Sequence, residues 1–92
     1  MLDILIVEDN KEIGMLLCDF LRKENYTVSV ANNGEKALEL YEKYRAKAIV
    51  LDIMLPGMDG FAVCSKIRVT SNTHILIARE RLLNNWLLEL GW

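Results

Sequence analysis

Residues 48–61 read Ala-Ile-Val-Leu-Asp-Ile-Met-Leu-Pro-Gly-Met-Asp-Gly-Phe, and this stretch does most to decide the expected fold. Its first four residues form an apolar run that ends abruptly at an acid, Asp52. A continuous apolar run of this length is typical of a strand that is buried on both faces of a parallel sheet. Residues 54–60 contain the only proline of the chain and two of its five glycines, so they are predicted to form a loop.

The same pattern occurs near the start of the chain. Residues 4–7 are Ile-Leu-Ile-Val, and Glu8, Asp9 and Asn10 follow them directly. In a doubly wound parallel sheet the first and third strands are neighbours, so these two acids and Asp52 should meet beyond the carboxyl ends of the strands. Carboxylates packed together are costly unless a hard cation binds, and Mg²⁺ prefers oxygen ligands of this kind. A carboxylate beside such a cation can act as a nucleophile toward a phosphoryl group.

Amphipathic stretches separate the apolar runs along the chain. Helical spacing of apolar residues predicts helices, and short β-branched runs predict strands. The predicted order is a strand at 4–7, a helix starting near Asn10 and ending near 24–25, a strand at 26–31, a turn at 32–34, a helix carrying the apolar positions Ala37, Leu38, Tyr41 and Tyr44, a strand at 48–51, a helix at 61–68, a strand at 74–78 and a helix within 79–92. This alternation predicts an open parallel α/β sheet with helices on both faces.

Composition narrows the function classes. The chain has 92 residues, enough for one domain, with 52% hydrophobic and 26% charged residues. Its net charge of −2 argues against binding to nucleic acid by this chain and against binding to an anionic membrane surface. The apolar runs are far shorter than the roughly 18 residues of a membrane helix. The early acid Asp3 argues against a signal peptide, and Cys18 and Cys64 are predicted to be free thiols, so we expect a cytoplasmic protein.

Residues 7–10, Val-Glu-Asp-Asn, followed by Leu-Asp-Ile-Met-Leu-Pro-Gly-Met-Asp-Gly-Phe at 51–61, resemble the receiver domains of bacterial two-component response regulators. The likeness extends over about residues 2–77. It implies a flavodoxin-like, doubly wound open parallel sheet formed by a single receiver domain over residues 1–92.

The resemblance also implies a role for each site residue. Asp52 would be the phosphoacceptor, taking a phosphoryl group from a sensor histidine kinase. The Mg²⁺ ligands would be Asp52 and Asp9 directly, Glu8 through water and the backbone carbonyl of Met54. The loop beside the site would be shaped by Pro56, Gly57 and Gly60.

The sequence departs from the family pattern in two places. Similar receivers have a Thr or Ser before the Ala that ends the fourth strand, and Ile77 precedes Ala78 here. They also have a Lys-Pro pair after a fifth strand, and this sequence reaches Trp92 before any such segment. The switch hydroxyl and the catalytic Lys are therefore missing from the expected site, and we expect slow or no phosphorylation. The expected fold is a receiver truncated after its fourth helix, with residues 79–92 as an atypical C-terminal helix.

Two alternatives remain open at this point. The first is a phosphorylation-deficient, receiver-like interaction module. It would act through the apolar stripe Leu82, Leu83, Trp86, Leu87 and Leu90, which could cover the sheet within the chain or associate with a second copy by dimerisation or segment swapping. The second is a Mg²⁺-dependent phosphohydrolase, which is disfavoured because Met54 stands where such enzymes usually have an Asp. We expect at most self-phosphorylation and autodephosphorylation at Asp52, and no other enzymatic activity.

Overall fold

Strands and helices alternate along the chain, as the sequence pattern predicts. The structure is a computed structural model that describes residues 1–52 and 60–78, without the side chains of Asp52, Ile77 and Ala78. The described elements are β1 (Leu2–Val7), α1 (Lys11–Lys23), β2 (Val28–Ala31), α2 (Gly34–Tyr44), β3 (Ala46–Asp52), α3 (Gly60–Arg68) and β4 (His74–Ala78). The predicted loop segment 53–59 and the predicted helix within 79–92 lie outside the described residues.

The four described strands form one parallel sheet in the order β2-β1-β3-β4. Val7 of β1 is in register with Ala31 of β2 on one side and with Leu51 of β3 on the other. Because β1 and β3 are direct neighbours, the residues that follow their carboxyl ends lie at the same edge of the sheet. This confirms the doubly wound parallel fold and the predicted adjacency of the first and third strands.

Side chains alternate between the two faces of the strands and divide the core into two clusters. On one face, Leu5, Ile49 and Leu51 are fully buried beneath α2 and α3. On the other face, Ile6 and Val50 pack against α1, to which Leu17 contributes. Helices therefore cover both faces, as the alternating pattern predicts.

Asparagine side chains cap the first two helices. Asn10 has an extended backbone and its side chain accepts a hydrogen bond from the N–H of Ile13, so α1 begins where the sequence predicts. Asn33 caps α2 by accepting from the N–H of Lys36. The predicted turn at 32–34 is correct for its first residues, but Gly34 is already the first residue of the helix.

Several predicted boundaries and burials were wrong in detail. The second strand begins at Val28 rather than residue 26, because Thr27 hydrogen-bonds to Asp3 with both its backbone and its hydroxyl. The third strand begins at residue 46 rather than 48, because Ala46 pairs with Leu2. Tyr44, predicted for the buried stripe of α2, is exposed, since it lies in the last helical turn before Arg45 turns the chain away with a positive φ.

Candidate functional site: an acidic cluster at the carboxyl end of the sheet

The predicted acids occupy adjacent positions at the carboxyl end of the sheet. Glu8 and Asp9 follow the last residue of β1, and Asp52 is the last residue of the neighbouring strand β3. The backbone of Asp52 is in register with Ala78 at the end of β4. The three positions therefore lie where open α/β sheets form their ligand sites.

Glu8 is a buried carboxylate with a fixed backbone. Its N–H donates to the carbonyl of Ala31 at 2.9 Å, which continues the β1–β2 ladder by one residue. Only 2% of its surface is exposed, and its Oε1 accepts a hydrogen bond from the N–H of Asn10 at 3.0 Å. Burial of a charged carboxylate is tolerated only where hydrogen bonds or a cation offset the lost hydration. Sequence alone does not indicate this burial.

Asp9 has a different environment from its neighbour. Its side chain is exposed, whereas Glu8 is enclosed by the start of α1 and the end of β2. One acid of the pair is therefore held by the protein, and the other is open to a ligand from solvent. The resemblance implies an indirect role for Glu8 and a direct role for Asp9 at a cation, and both roles stay predictions.

The turn from β1 into α1 is compact. The side-chain Oδ1 of Asn10 accepts from the N–H of Ile13 at 3.2 Å, and its carbonyl accepts from the N–H of Gly14 at 3.0 Å. Gly14 lies close to β2, since a Cβ on this residue would be 3.1 Å from Cγ1 of Val30. A side chain at residue 14 would be tight against Val30, which would have to shift by a few tenths of an ångström to accept it.

The remaining predicted site residues are only partly described. Gly60 is buried and is the first residue of α3, where the loop was predicted to end. The Asp52 side chain, Met54, Pro56 and Gly57 lie outside the described parts, so their predicted roles stay predictions. Among the described side chains, no group of three or more His, Cys, Asp or Glu residues could hold a metal ion. The predicted ligand set is not tested by this finding, because it includes the side chain of Asp52.

Polar side chains at the amino end of the sheet form a second cluster that the sequence did not indicate. The Tyr41 hydroxyl lies 2.5 Å from Oγ of Ser71 and 2.5 Å from Oγ1 of Thr73. Thr73 also donates to the carbonyl of Ala46, so the cluster joins α2 to the starts of β3 and β4. The two hydroxyl residues just before the fourth strand were the only available signal.

A cavity of about 360 Å³ lies near this second cluster, between the carboxyl-terminal parts of α2 and α3. Tyr41, Arg45, Lys66 and Ile67 are among the residues that line it. It is at the opposite end of the sheet from the acids, so it is not part of the predicted metal site.

The two cysteines are free, with Cys18 buried and Cys64 partly buried. This confirms the prediction of separate, unpaired thiols. Within the described parts of the chain, the helices are too short or too polar to cross a membrane.

Fold and acid positions together define a class of protein. The model of the response regulator receiver domain family matches residues 4–81, and the chain belongs to that family.

Individual relatives agree with this assignment. The chain is 37% identical over 81 residues to the sensory transduction protein RegX3 of Mycolicibacterium smegmatis, which covers 88% of this chain and 36% of that protein. It is 40% identical over 91 residues to the probable transcriptional regulator ycf27 of Cyanidium caldarium, covering 96% of this chain and 36% of the relative. The chain thus spans about a third of the length of these curated relatives.

Solved structures show the same fold. The chemotaxis protein CheY4 of Vibrio cholerae superposes with a TM-score of 0.79 at 31% identity, over 84% of this chain and 67% of that one. The BeF3-activated N-terminal receiver domain of Klebsiella pneumoniae RstA gives a TM-score of 0.78 at 32% identity, over 97% of this chain and 79% of that one.

Proposed function

We propose that this receiver domain accepts a phosphoryl group on Asp52 from a sensor histidine kinase in the cytoplasm, with Mg²⁺ as cofactor. The observation that carries the proposal is the register of β1 beside β3, which places Glu8 and Asp9 next to the position of Asp52. Acids in adjacent strands at this edge of the sheet suit a cation-assisted phosphoryl transfer.

The acidic residues fit a magnesium ion. Carboxylate and carbonyl oxygens are its preferred ligands, and the buried carboxylate of Glu8 beside a second acid gains from a nearby positive charge. Asp9 and Asp52 would bind the ion directly, Glu8 through water, and Met54 through its backbone carbonyl. When bound, the ion would offset the negative charge of the phosphoryl oxygens.

The transfer itself uses the Asp52 carboxylate as nucleophile. One carboxylate oxygen forms a bond to phosphorus while the bond from phosphorus to the nitrogen of a phosphohistidine breaks, and the imidazole leaves and takes up a proton. The product is an acyl phosphate on Asp52, which water later hydrolyses. The group that is modified is therefore a residue of the protein itself, and no separate small-molecule substrate is turned over.

Ile77 sets an expectation for the rate. It pairs with Leu51, one residue before the position of Asp52, and it supplies no hydroxyl for the phosphoryl oxygens. We therefore expect phosphorylation to be slow compared with that of relatives that have a Thr or Ser there.

Incubation with acetyl phosphate and Mg²⁺, followed by intact-protein mass spectrometry, tests the proposal. We expect a mass increase of one phosphoryl group that is lost in Asp52→Asn and retained in Asp19→Asn, an exposed aspartate of α1. A modified Asp52→Asn protein would contradict the assignment of the acceptor. An unmodified wild type with intact folding would favour the interaction module instead.

One observation supports that second candidate, a module that pairs with another copy of this chain. Leu76 of β4 is 55% exposed, on an outer strand of the described sheet, and the apolar stripe predicted at 82–90 follows it in sequence. Light scattering over a range of concentrations tests the pairing. Leu76→Asp should abolish a dimer, while Val69→Asp, at a position 82% exposed after α3, should not.

A further inference from the structure

Asn10 lies between the acid pair and α1, and the proposed function gives it no role. We propose that Asn10 is a positioning residue that holds the Glu8 carboxylate in place for the metal site. The inference rests on the proposed function, because it concerns the same cation.

Asn10 makes two hydrogen bonds that link the helix start to the acid. Its backbone N–H donates to Oε1 of Glu8 at 3.0 Å, and its side-chain Oδ1 accepts from the N–H of Ile13 at 3.2 Å. The first bond orients the carboxylate, and the second fixes the backbone that carries the donor. One residue thus couples the direction of Glu8 to the integrity of the first turn of α1.

The side chain is needed even though the N–H belongs to the backbone. The first N–H groups of a helix have no partner within the helix, and loss of a capping side chain loosens the first turn. Residue 10 is extended, with φ −78° and ψ 110°, and it is held in that conformation by the cap. Without the cap, the N–H of residue 10 would no longer be fixed opposite Glu8.

The packing of Gly14 supports this coupling independently. A Cβ on Gly14 would lie 3.9 Å from Cβ and 4.0 Å from Cγ of Glu8. The backbone of Gly14 therefore lies close enough to the stem of Glu8 that an added methyl group would be in ordinary van der Waals contact with it. A shift of the first turn of α1 would thus change the space beside Glu8 as well as the hydrogen bond from Asn10.

Hydrogen bonds to a metal ligand affect metal binding even when the donor does not touch the metal. Groups that orient a ligand, without touching the metal, commonly change metal affinity by about 10–100-fold when they are lost. Glu8 is proposed to act through water, so the direction of its carboxylate decides whether that water is held.

The chain offers a matched control in Asn33. This residue caps α2 in the same way, with an extended backbone and an Oδ1 that accepts from the N–H of Lys36 at 2.7 Å. Its other described side-chain bond goes to Asn32 rather than to an acid of the site. Asn33→Ala therefore removes an equivalent helix cap and leaves Glu8 alone.

The experiment is a calorimetric titration of the full 92-residue chain with Mg²⁺, using wild type, Asn10→Ala, Asn10→Ser and Asn33→Ala. We expect Asn10→Ala to weaken Mg²⁺ binding by about tenfold. Asn10→Ser, which keeps a capping oxygen, should restore most of that affinity. Asn33→Ala should bind Mg²⁺ like the wild type, although its thermal midpoint falls as much as that of Asn10→Ala.

Asn10→Gly provides a second variant if Asn10→Ala does not fold. Glycine is tolerated at helix caps far better than alanine, but it frees the backbone of residue 10. We expect a clear loss of Mg²⁺ affinity in a protein of nearly normal stability.

The outcomes separate the two proposals. If wild type binds Mg²⁺ and the Asn10 variants bind it equally well, Asn10 is a structural cap only and the inference is overturned. If wild type takes up no Mg²⁺ at all, the proposed function fails, and the inference fails with it.

Discussion

The two ends of β1 both carry acids, but the structure uses them differently. Near the start of the strand, Oδ2 of Asp3 accepts from the N–H of Thr27 at 2.8 Å and from its hydroxyl at 3.0 Å, and Nζ of Lys47 lies 3.4 Å from Oδ1. Beyond the other end, Glu8 and Asp9 are adjacent in sequence. They lie beside the position of a third acid, Asp52, which ends the neighbouring strand β3.

This difference separates a structural acid from acids suited to a ligand. Asp3 is satisfied by hydroxyl, amide and ammonium donors from β3 and from the residue before β2, so it joins the strands at their amino ends. The acids at the carboxyl end occupy adjacent positions of the sheet, and negative charge gathered there would favour the binding of a cation. Replacing acids at each end tests whether the two ends are truly distinct.

The largest expected effect is on Mg²⁺ affinity. Asp9→Asn should weaken Mg²⁺ binding at least about tenfold. The loss of a direct ligand should reduce the affinity by no less than the loss of a group that only orients a ligand. In the metal-free protein the same change should not lower stability, since it relieves repulsion within the cluster. Calorimetric titration and urea unfolding measure the two quantities.

Asp3→Asn is the matched replacement at the amino end. It should leave the affinity for Mg²⁺ unchanged and reduce stability, the reverse of the pattern expected for Asp9→Asn. Equal losses of Mg²⁺ affinity in both variants would show that the two ends of β1 are not functionally distinct.

The sequence predicted the carboxyl end better than the amino end. A buried parallel strand that stops at an acid is visible in the order of residues, so Glu8, Asp9 and the end of β3 were placed correctly. The bounds of β4, His74–Ala78, were also correct. Burial of Glu8 beside an exposed Asp9 was not predictable, because it depends on how closely α1 approaches β2 at Gly14.

Tertiary hydrogen bonds explain most of what the pattern did not show. Residues 26 and 27 have the composition of a strand, yet the bonds from Thr27 to Asp3 define where β2 begins. The Tyr41 cluster depends on residues 30 and 32 positions apart in sequence. Periodicity identified Tyr41 as an inward residue of α2, but it carries no information about the partners of a hydroxyl group.

A smaller effect is expected at the amino end from Tyr41→Phe. Tyr41 is buried, and its hydroxyl bonds to Ser71 and Thr73, so its removal should lower the free energy of unfolding by about 1 kcal/mol. Urea unfolding measures the change.

Tyr26→Phe is the control, since Tyr26 is 47% exposed and should tolerate the loss of its hydroxyl. The affinity of Tyr41→Phe for Mg²⁺ should equal that of wild type. A weakened Mg²⁺ affinity would indicate that the two ends of the sheet are coupled.

The smallest effect concerns the pH dependence that Asp3 contributes. The N–H of Thr27, then its hydroxyl and Lys47, hold the pKa of Asp3 below its ordinary value. Because the folded-state pKa is lowered, the stabilisation is fully present above the unfolded pKa of about 4 and is lost as the pH falls through the folded-state value. Urea midpoints of wild type and Asp3→Asn should therefore differ most near neutral pH and converge in acid.

Lys47→Met should keep most of this pH dependence, because Thr27 is the larger cause and solvent screens the exposed lysine. A difference between wild type and Asp3→Asn that stays the same from pH 7 to pH 2 would mean that Asp3 acts by packing rather than by charge.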